Sequence, residues 1–261
     1  MFWICPSFSS IIFVDDGKIR GMIREMELNK IYNQDCLQGL QKCKSQSIDL
    51  IISSPVYKDS DGYSNEFLTE VFYNLYRVLK TDSLFFLNFG HLAEDKFRPF
   101  AVCLNALLQR FQLNDTITWV KNHYRPIQGK KRLNNLSEFI FLLYKGKMPD
   151  LNRLEIGVPY KDKSNAKRFA GGRDLKCRGN VWEIPYETIN KSKEKLHNDR
   201  FPLMLPELCI KLSGIQDGAV VLDPFSGSAT VACAAKKLNK QFIGFEINKK
   251  NWEIGNKRLL D

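Results

Sequence analysis

Several absences narrow the reading first. No apolar run approaches the ~20 residues that a membrane-spanning helix needs. The N-terminal stretch, residues 1–25, has no basic leader before a long apolar segment, so no signal peptide is expected. The seven cysteines are odd in number, and none forms a Cys-x-x-Cys pair or a Cys/His cluster at zinc spacing. Reduced thiols in a cytoplasmic protein without a metal are the expectation. No G-x-G-x-x-G is present, and no Gly-Lys is followed by Ser or Thr, so dinucleotide and triphosphate sites are disfavoured. A Pro-Cys order is missing too; only Cys5-Pro6, the reverse, occurs.

What is present is an ordinary globular composition, 44% hydrophobic and 26% charged over 261 residues. That length suits one α/β domain, or one domain with an insert. Net charge is +10, with 39 Lys+Arg against 29 Asp+Glu. Residues 121–200 hold 19 of those cations and 9 of the acids, so the whole excess lies in that block. A localised basic surface points to a polyanion, nucleic acid first.

Periodicity supplies the architecture. Ile48–Ile52 is a short apolar run that reads as a buried parallel strand ending at Pro55. Asn65–Leu79 has helical spacing, Ser83–Phe89 reads as a strand and Phe97–Phe111 as a helix. Asp115–Val120 and Glu138–Tyr144 read as later strands, and the remaining basic block as loop-rich with little regular core. Alternation resumes with helices at Leu203–Leu212, Ala229–Leu238 and Asn248–Leu259 and strands at Ala219–Leu222 and Phe242–Phe245. The expectation is an α/β, Rossmann-like, doubly wound and mostly parallel sheet with a basic insert. The expected divisions are an extension at 1–27, a first α/β part at 28–120, the insert at 121–196 and a second part of the same domain at 197–261.

Two loops carry chemistry. The strand Val220-Val221-Leu222 runs into Asp223-Pro224-Phe225-Ser226-Gly227-Ser228 and then a helix. Small residues there let a ligand approach the backbone. About twenty residues on, the next strand ends at Glu246, where an acid can accept hydrogen bonds from ribose hydroxyls. The second loop, Ser53-Ser54-Pro55-Val56-Tyr57, follows a buried strand. A Ser hydroxyl, a carbonyl turned out by Pro and a stackable ring suit a planar base with an exocyclic amine.

Together these loops resemble the signature of DNA amino-methyltransferases. Asp223–Ser228 resembles the cofactor loop D-P-F-x-G-S, and Ser54-Pro55-Val56-Tyr57 resembles the catalytic tetrapeptide (D/N/S)-P-P-(Y/F/W). The catalytic loop precedes the cofactor loop with a basic region between them, which is similar to the β group. Asn33-Gln34-Asp35-Cys36-Leu37 resembles the family's G-D-C-L segment, His197–Pro202 its H-x-x-x-F-P stretch, and Asn88-Phe89-Gly90 its N-x-G turn.

The resemblance implies an S-adenosylmethionine-dependent DNA methyltransferase with Ser54, Pro55 and Tyr57 catalytic. It places Asp35, Cys36, Ser53, His197, Phe201, Asp223, Pro224, Phe225, Gly227, Ser228 and Glu246 around the cofactor. The amine of a flipped-out base attacks the methyl carbon directly, and the absent Pro-Cys disfavours cytosine-C5 chemistry. Ser at the head of the tetrapeptide, and the H-x-x-x-F-P stretch, favour cytosine N4 over adenine N6. The implied partner is double-stranded DNA, gripped by Lys130, Lys131, Arg132, Lys167, Arg168 and Arg173 and approached by His123 and Arg125. A prokaryotic, nucleoid-associated restriction–modification setting follows, with a cognate endonuclease and a homodimer as implied associates. Trp119 and Trp182 read as core. Two departures, Val56 for the second Pro and Ala229 for a Gly, motivate the alternative of a catalytically weak DNA-binding protein. A Cβ at Ala229 is tolerable only at a negative φ, which is the conformation this reading requires there.

Overall fold

A computed structural model of the chain describes residues 26–55, 65–89, 104–122, 133–134, 136–162, 174–185 and 201–260. The elements are β1 (Lys30–Tyr32), α1 (Cys36–Lys42), β2 (Ile48–Ser53), α2 (Asn65–Val78), β3 (Leu79–Phe89), β4 (Gln112–Val120) and β5 (Ser137–Lys145). They continue with β6 (Val158–Pro159), β7 (Leu175–Lys176), β8 (Val181–Glu183), α3 (Met204–Ser213), β9 (Val220–Asp223), α4 (Thr230–Lys237), β10 (Gln241–Phe245) and α5 (Lys249–Leu260). Residues 104–108 are also helical, within the helix expected over Phe97–Phe111.

Eight strands form one sheet in the order β1-β10-β9-β2-β3-β5-β4-β8, and β6 pairs with β7 apart from it. β5 is antiparallel to both β3 and β4, and the other five pairings are parallel. The mostly parallel, doubly wound sheet expected from the sequence is therefore present, with one reversed strand.

Side chains explain the layering. Along β3, Leu84 and Phe86 face one core, and Phe85, Leu87 and Phe89 face the other, as strand alternation requires. α1 and α2 cover the second face, while α3, α4 and α5 cover the first. Burial on both faces is why β2 and β9 read as continuous apolar runs. The charged residue of β2, Asp49, accepts the Val220 N–H at 2.9 Å and Lys80 Nζ at 2.6 Å, tying β2 to β9 and to β3.

The basic block is less loose than its composition suggests. Besides β5, which is the strand expected at Glu138–Tyr144, β8 also lies within 121–196 and joins the main sheet. Ile156, Trp182 and Ile184 are buried there, which corrects the expectation of little regular core. Trp119 and Trp182 are fully buried, and their indole N–H groups donate to the carbonyls of Ile184 and Gly179. Some of the block's cations serve the fold. Lys121 pairs with Glu138. Lys145 donates to the carbonyls of Tyr76, in the last turn of α2, and Leu79, the first residue of β3, and burial lowers its pKa.

Candidate active site

In parallel sheets a ligand cleft opens outside the carboxyl ends of the strands, where successive connections leave in opposite directions. Here that point lies between β9 and β2. β9 continues to β10 on one side, and β2 continues to β3 on the other. Both predicted loops leave the sheet there.

Adjacent serines at the end of β2 turn to opposite neighbours. The buried Ser53 hydroxyl donates to Asp223 Oδ1 of β9 at 3.2 Å. The half-buried Ser54 hydroxyl donates to Asn88 Oδ1 of β3 at 3.2 Å. Pro55 is buried behind them. The tetrapeptide thus starts across the switch point, with one hydroxyl on the cofactor-loop side and the other on the β3 side.

The cofactor loop is tightly built. Asp223 Oδ1 also accepts the Phe225 N–H at 3.0 Å, closing an Asx turn. Ser226 donates through its hydroxyl to the Asp223 carbonyl at 3.1 Å and through its N–H to the Phe245 carbonyl at 2.8 Å. Gly244 makes that approach possible, since a Cβ on it would lie 2.1 Å from Ser226 Oγ. Glu246 is buried, with Oε2 accepting the Gly227 N–H and Oε1 the Asn248 N–H, each at 2.7 Å. Each oxygen retains acceptor capacity toward a hydroxyl donor. Asn33 Nδ2 donates to the Glu246 carbonyl at 2.8 Å, bringing the β1–α1 loop alongside.

Asp223 is 4% exposed, and burial pushes its carboxyl pKa up to about 7. The Phe225 N–H and the Ser53 hydroxyl oppose the rise, and the Glu246 charge adds to it. A buried carboxylate beside a second acid is a ready partner for a cationic ligand group.

A family model described as DNA methylase, of the N6/N4 type, matches residues 48–257. This chain belongs to the N6/N4 DNA methylase family. Among its relatives, the orphan methyltransferase M.BamHII of Bacillus amyloliquefaciens is 31% identical over 82% of this chain and 89% of its own. The DNA adenine methyltransferase YhdJ of Escherichia coli (strain K12) is 28% identical over 89% of this chain and 83% of its own. In fold, the cytosine-N4-specific PvuII DNA methyltransferase superposes with a TM-score of 0.69 at 20% identity, over 91% of this chain and 88% of that one. The protein is an S-adenosylmethionine-dependent DNA amino-methyltransferase, and S-adenosylmethionine is its cofactor.

Within this methylase, the structure brings Ser53, Ser54, Pro55, Asp223, Pro224, Phe225, Gly227, Ser228 and Glu246 to one sheet edge. Asp35 and Cys36 follow β1 at the same edge, but both have structural duties. Asp35 is the N-cap of α1 and accepts the N–H groups of Leu37 and Gln38. Cys36 is buried in the core, and burial pushes its thiol up to about 12. Phe201 packs partly buried against the core ahead of α3. Tyr57, His197, His123, Arg125, Lys130, Lys131, Arg132, Lys167, Arg168 and Arg173 lie outside the described residues.

Ala229 departs from expectation. Its φ is +68°, in the left-handed region, rather than negative. For a residue with a Cβ that conformation costs roughly 1–2 kcal/mol. The surrounding loop imposes it, because the Ala229 N–H must reach the Ser226 carbonyl at 2.8 Å while its own carbonyl starts α4. Gly255 of α5 packs against this residue, and a Cβ there would lie 3.0 Å from Ala229 Cβ. Gly255→Ala is expected to destabilise the protein by about 1–3 kcal/mol. Ala229→Gly in the same chain should recover most of the loss; thermal unfolding of the wild type, the two single variants and the double variant checks this.

Three contributors escaped the sequence. Arg258 of α5 donates to the carbonyl and hydroxyl of Ser228 and to the Thr230 hydroxyl, bracing the cofactor loop from behind. Its three-residue spacing from Gly255 on one helix face is the available signal. Ile247, 71% exposed, presents an apolar side chain beside Glu246. Asn88 was legible only as part of a turn motif, whereas its side chain holds Ser54.

Proposed function

We propose that this methylase transfers the methyl group of S-adenosylmethionine to the N4 amine of cytosine, in a base flipped out of duplex DNA. The observation carrying the reading is Ser54 at the head of the tetrapeptide, where adenine-directed relatives of the resembled family usually carry Asp. The Ser54 hydroxyl and the Pro55 carbonyl are the acceptors for the two amine protons. Tyr57 stacks on the base.

Asp223, Glu246, Gly227, Ser228 and Ile247 form the cofactor pocket. Glu246 faces the ribose, Ile247 gives apolar contact, and Asp223 faces the cationic end. His197 and Phe201 complete that side, while Asp35 and Cys36 contribute mainly by shaping the β1–α1 loop.

Transfer is a single displacement. The nitrogen pair forms the N–C bond, the C–S bond breaks with its pair left on sulfur, and the methylated amine loses one proton to water. Orientation of nitrogen, methyl carbon and sulfur in line supplies most of the acceleration.

The basic block, 121–196, reads the target and grips phosphates through Lys130, Lys131, Arg132, Lys167, Arg168 and Arg173, with His123 and Arg125 nearest the base. A cognate restriction endonuclease and a homodimeric state belong to this proposal, as does nucleoid association.

Adenine N6 is the second reading, favoured by the likeness to the adenine methyltransferase YhdJ. Nucleoside mass spectrometry of unmethylated plasmid DNA treated with the purified chain and S-adenosylmethionine separates them. N4-methylcytosine is expected; N6-methyladenine in its place refutes the base assignment.

A further inference from the structure

We propose that Asn88 is a positioning residue that holds the Ser54 hydroxyl as a hydrogen-bond acceptor toward the target amine. The inference rests on the assignment of Ser54 as the residue that receives that amine. It adds a part that the tetrapeptide does not contain.

The argument starts from the orientation of an amide. Asn88 stands one residue before the end of β3 and is 3% exposed. Its Nδ2 donates to the Phe139 carbonyl of β5 at 3.2 Å. Reversing the amide would set Oδ1 against that carbonyl oxygen, two acceptors facing each other, so the β5 contact fixes which end is oxygen. Oδ1 then points to β2 and accepts the Ser54 hydroxyl proton at 3.2 Å. β5, the one strand of the sheet running against the others, is what brings a backbone carbonyl to this place.

A hydroxyl has one proton and two acceptor lone pairs. With its proton directed to Asn88, Ser54 meets any further group as an acceptor. The chemistry needs that polarity. An amine N–H donating to Ser54 keeps the nitrogen pair available for the methyl carbon. A hydroxyl free to rotate can instead donate to the nitrogen and occupy the pair that must attack. Asn88 therefore acts through Ser54 and touches neither cofactor nor base.

The test measures single-turnover methyl transfer from saturating S-adenosylmethionine to unmethylated plasmid DNA. The chains compared are wild type, Ser54→Ala, Asn88→Ala, the double variant and Asn88→Asp. Asn88→Ala is expected to slow transfer by about 100-fold with cofactor affinity kept. The double variant should be no slower than Ser54→Ala alone, since both remove one interaction. Asn88→Asp supplies a readout that a merely structural residue would not move. Its protonated carboxyl can donate to the Phe139 carbonyl and accept from Ser54, whereas its ionised form repels that carbonyl. Its rate should therefore fall with rising pH, along a limb absent from wild type.

A wild-type rate in Asn88→Ala, or additive losses in the double variant, would overturn the inference while leaving Ser54 catalytic. A wild-type rate in Ser54→Ala would instead overturn the reading beneath it. If Asn88→Ala does not fold, the Asn88→Asp profile decides alone, and a profile parallel to wild type overturns the role.

Discussion

Ser54→Ala is expected to lower the rate of methyl transfer by about 100-fold or more while leaving S-adenosylmethionine affinity unchanged. The change removes one acceptor for the amine, and losing a single well-placed polar contact in a transition state costs on the order of 10²–10³ in kcat. Cofactor affinity is spared because Ser54 turns toward β3, with its hydroxyl on Asn88. Its neighbour Ser53 faces the cofactor loop through Asp223. Ser53→Ala should show the opposite division, with weaker cofactor binding and a smaller effect on the chemical step. Equal effects of the two serines on affinity and rate would contradict a division of labour at the end of β2. Isothermal titration for affinity and rapid quench for rate separate the terms.

The second large effect is expected at Asp223. Its carboxyl is buried and raised to about 7 by that burial. The unfolded carboxyl titrates near its ordinary value of 3.8. Between these values the folded chain holds a proton that the unfolded chain has released. Stability without cofactor is therefore greatest at the low end of the window and is lost as pH rises through about 7.

A cationic ligand reverses the preference, because it favours the ionised form. S-adenosylmethionine affinity should accordingly rise about tenfold per pH unit below 7 and level off above it, with proton release on binding. Asp223→Asn keeps the shape of the side chain and its acceptor for the Phe225 N–H. It should lose the pH dependence and weaken binding at pH 8 by at least about tenfold. Calorimetric titrations in buffers of different ionisation enthalpy read both the affinity and the proton. A flat profile, with wild-type affinity in the variant, would remove Asp223 from the cofactor site.

Much of this organisation was legible because burial on both sheet faces writes itself into sequence. Ile48–Ile52, Ala219–Leu222 and Phe242–Phe245 each gave a strand at the expected place, within a residue at either end. The loops after them fell at the carboxyl edge, where a parallel sheet must put them. The direction of β5 was not legible. A strand buried on both faces carries the same apolar run whichever way it points. β8 was missed because three residues, two of them exposed, leave no periodicity to read.

Site roles divided in the same way. Residue types that suit a ligand also suit local capping: Asp35, read as a cofactor contact, caps α1 in the structure, a duty the sequence pattern did not distinguish. The negative φ required for a Cβ at Ala229 is not met, and nothing in a run of small residues reveals the left-handed turn. Its conformation comes from hydrogen bonds across the loop. Arg258 and Asn88 act over separations of about 30 residues, beyond the reach of local pattern.

The most direct measurement is single-molecule modification sequencing of DNA from cells expressing this chain, beside a vector control. N4-methylcytosine at one short motif, absent from the control and lost with Ser54→Ala, is the expected result. N6-methyladenine at such a motif would keep the displacement mechanism and contradict the choice of base. No new mark, from a chain that still binds S-adenosylmethionine, would contradict catalysis on DNA and favour a weakly catalytic DNA-binding protein.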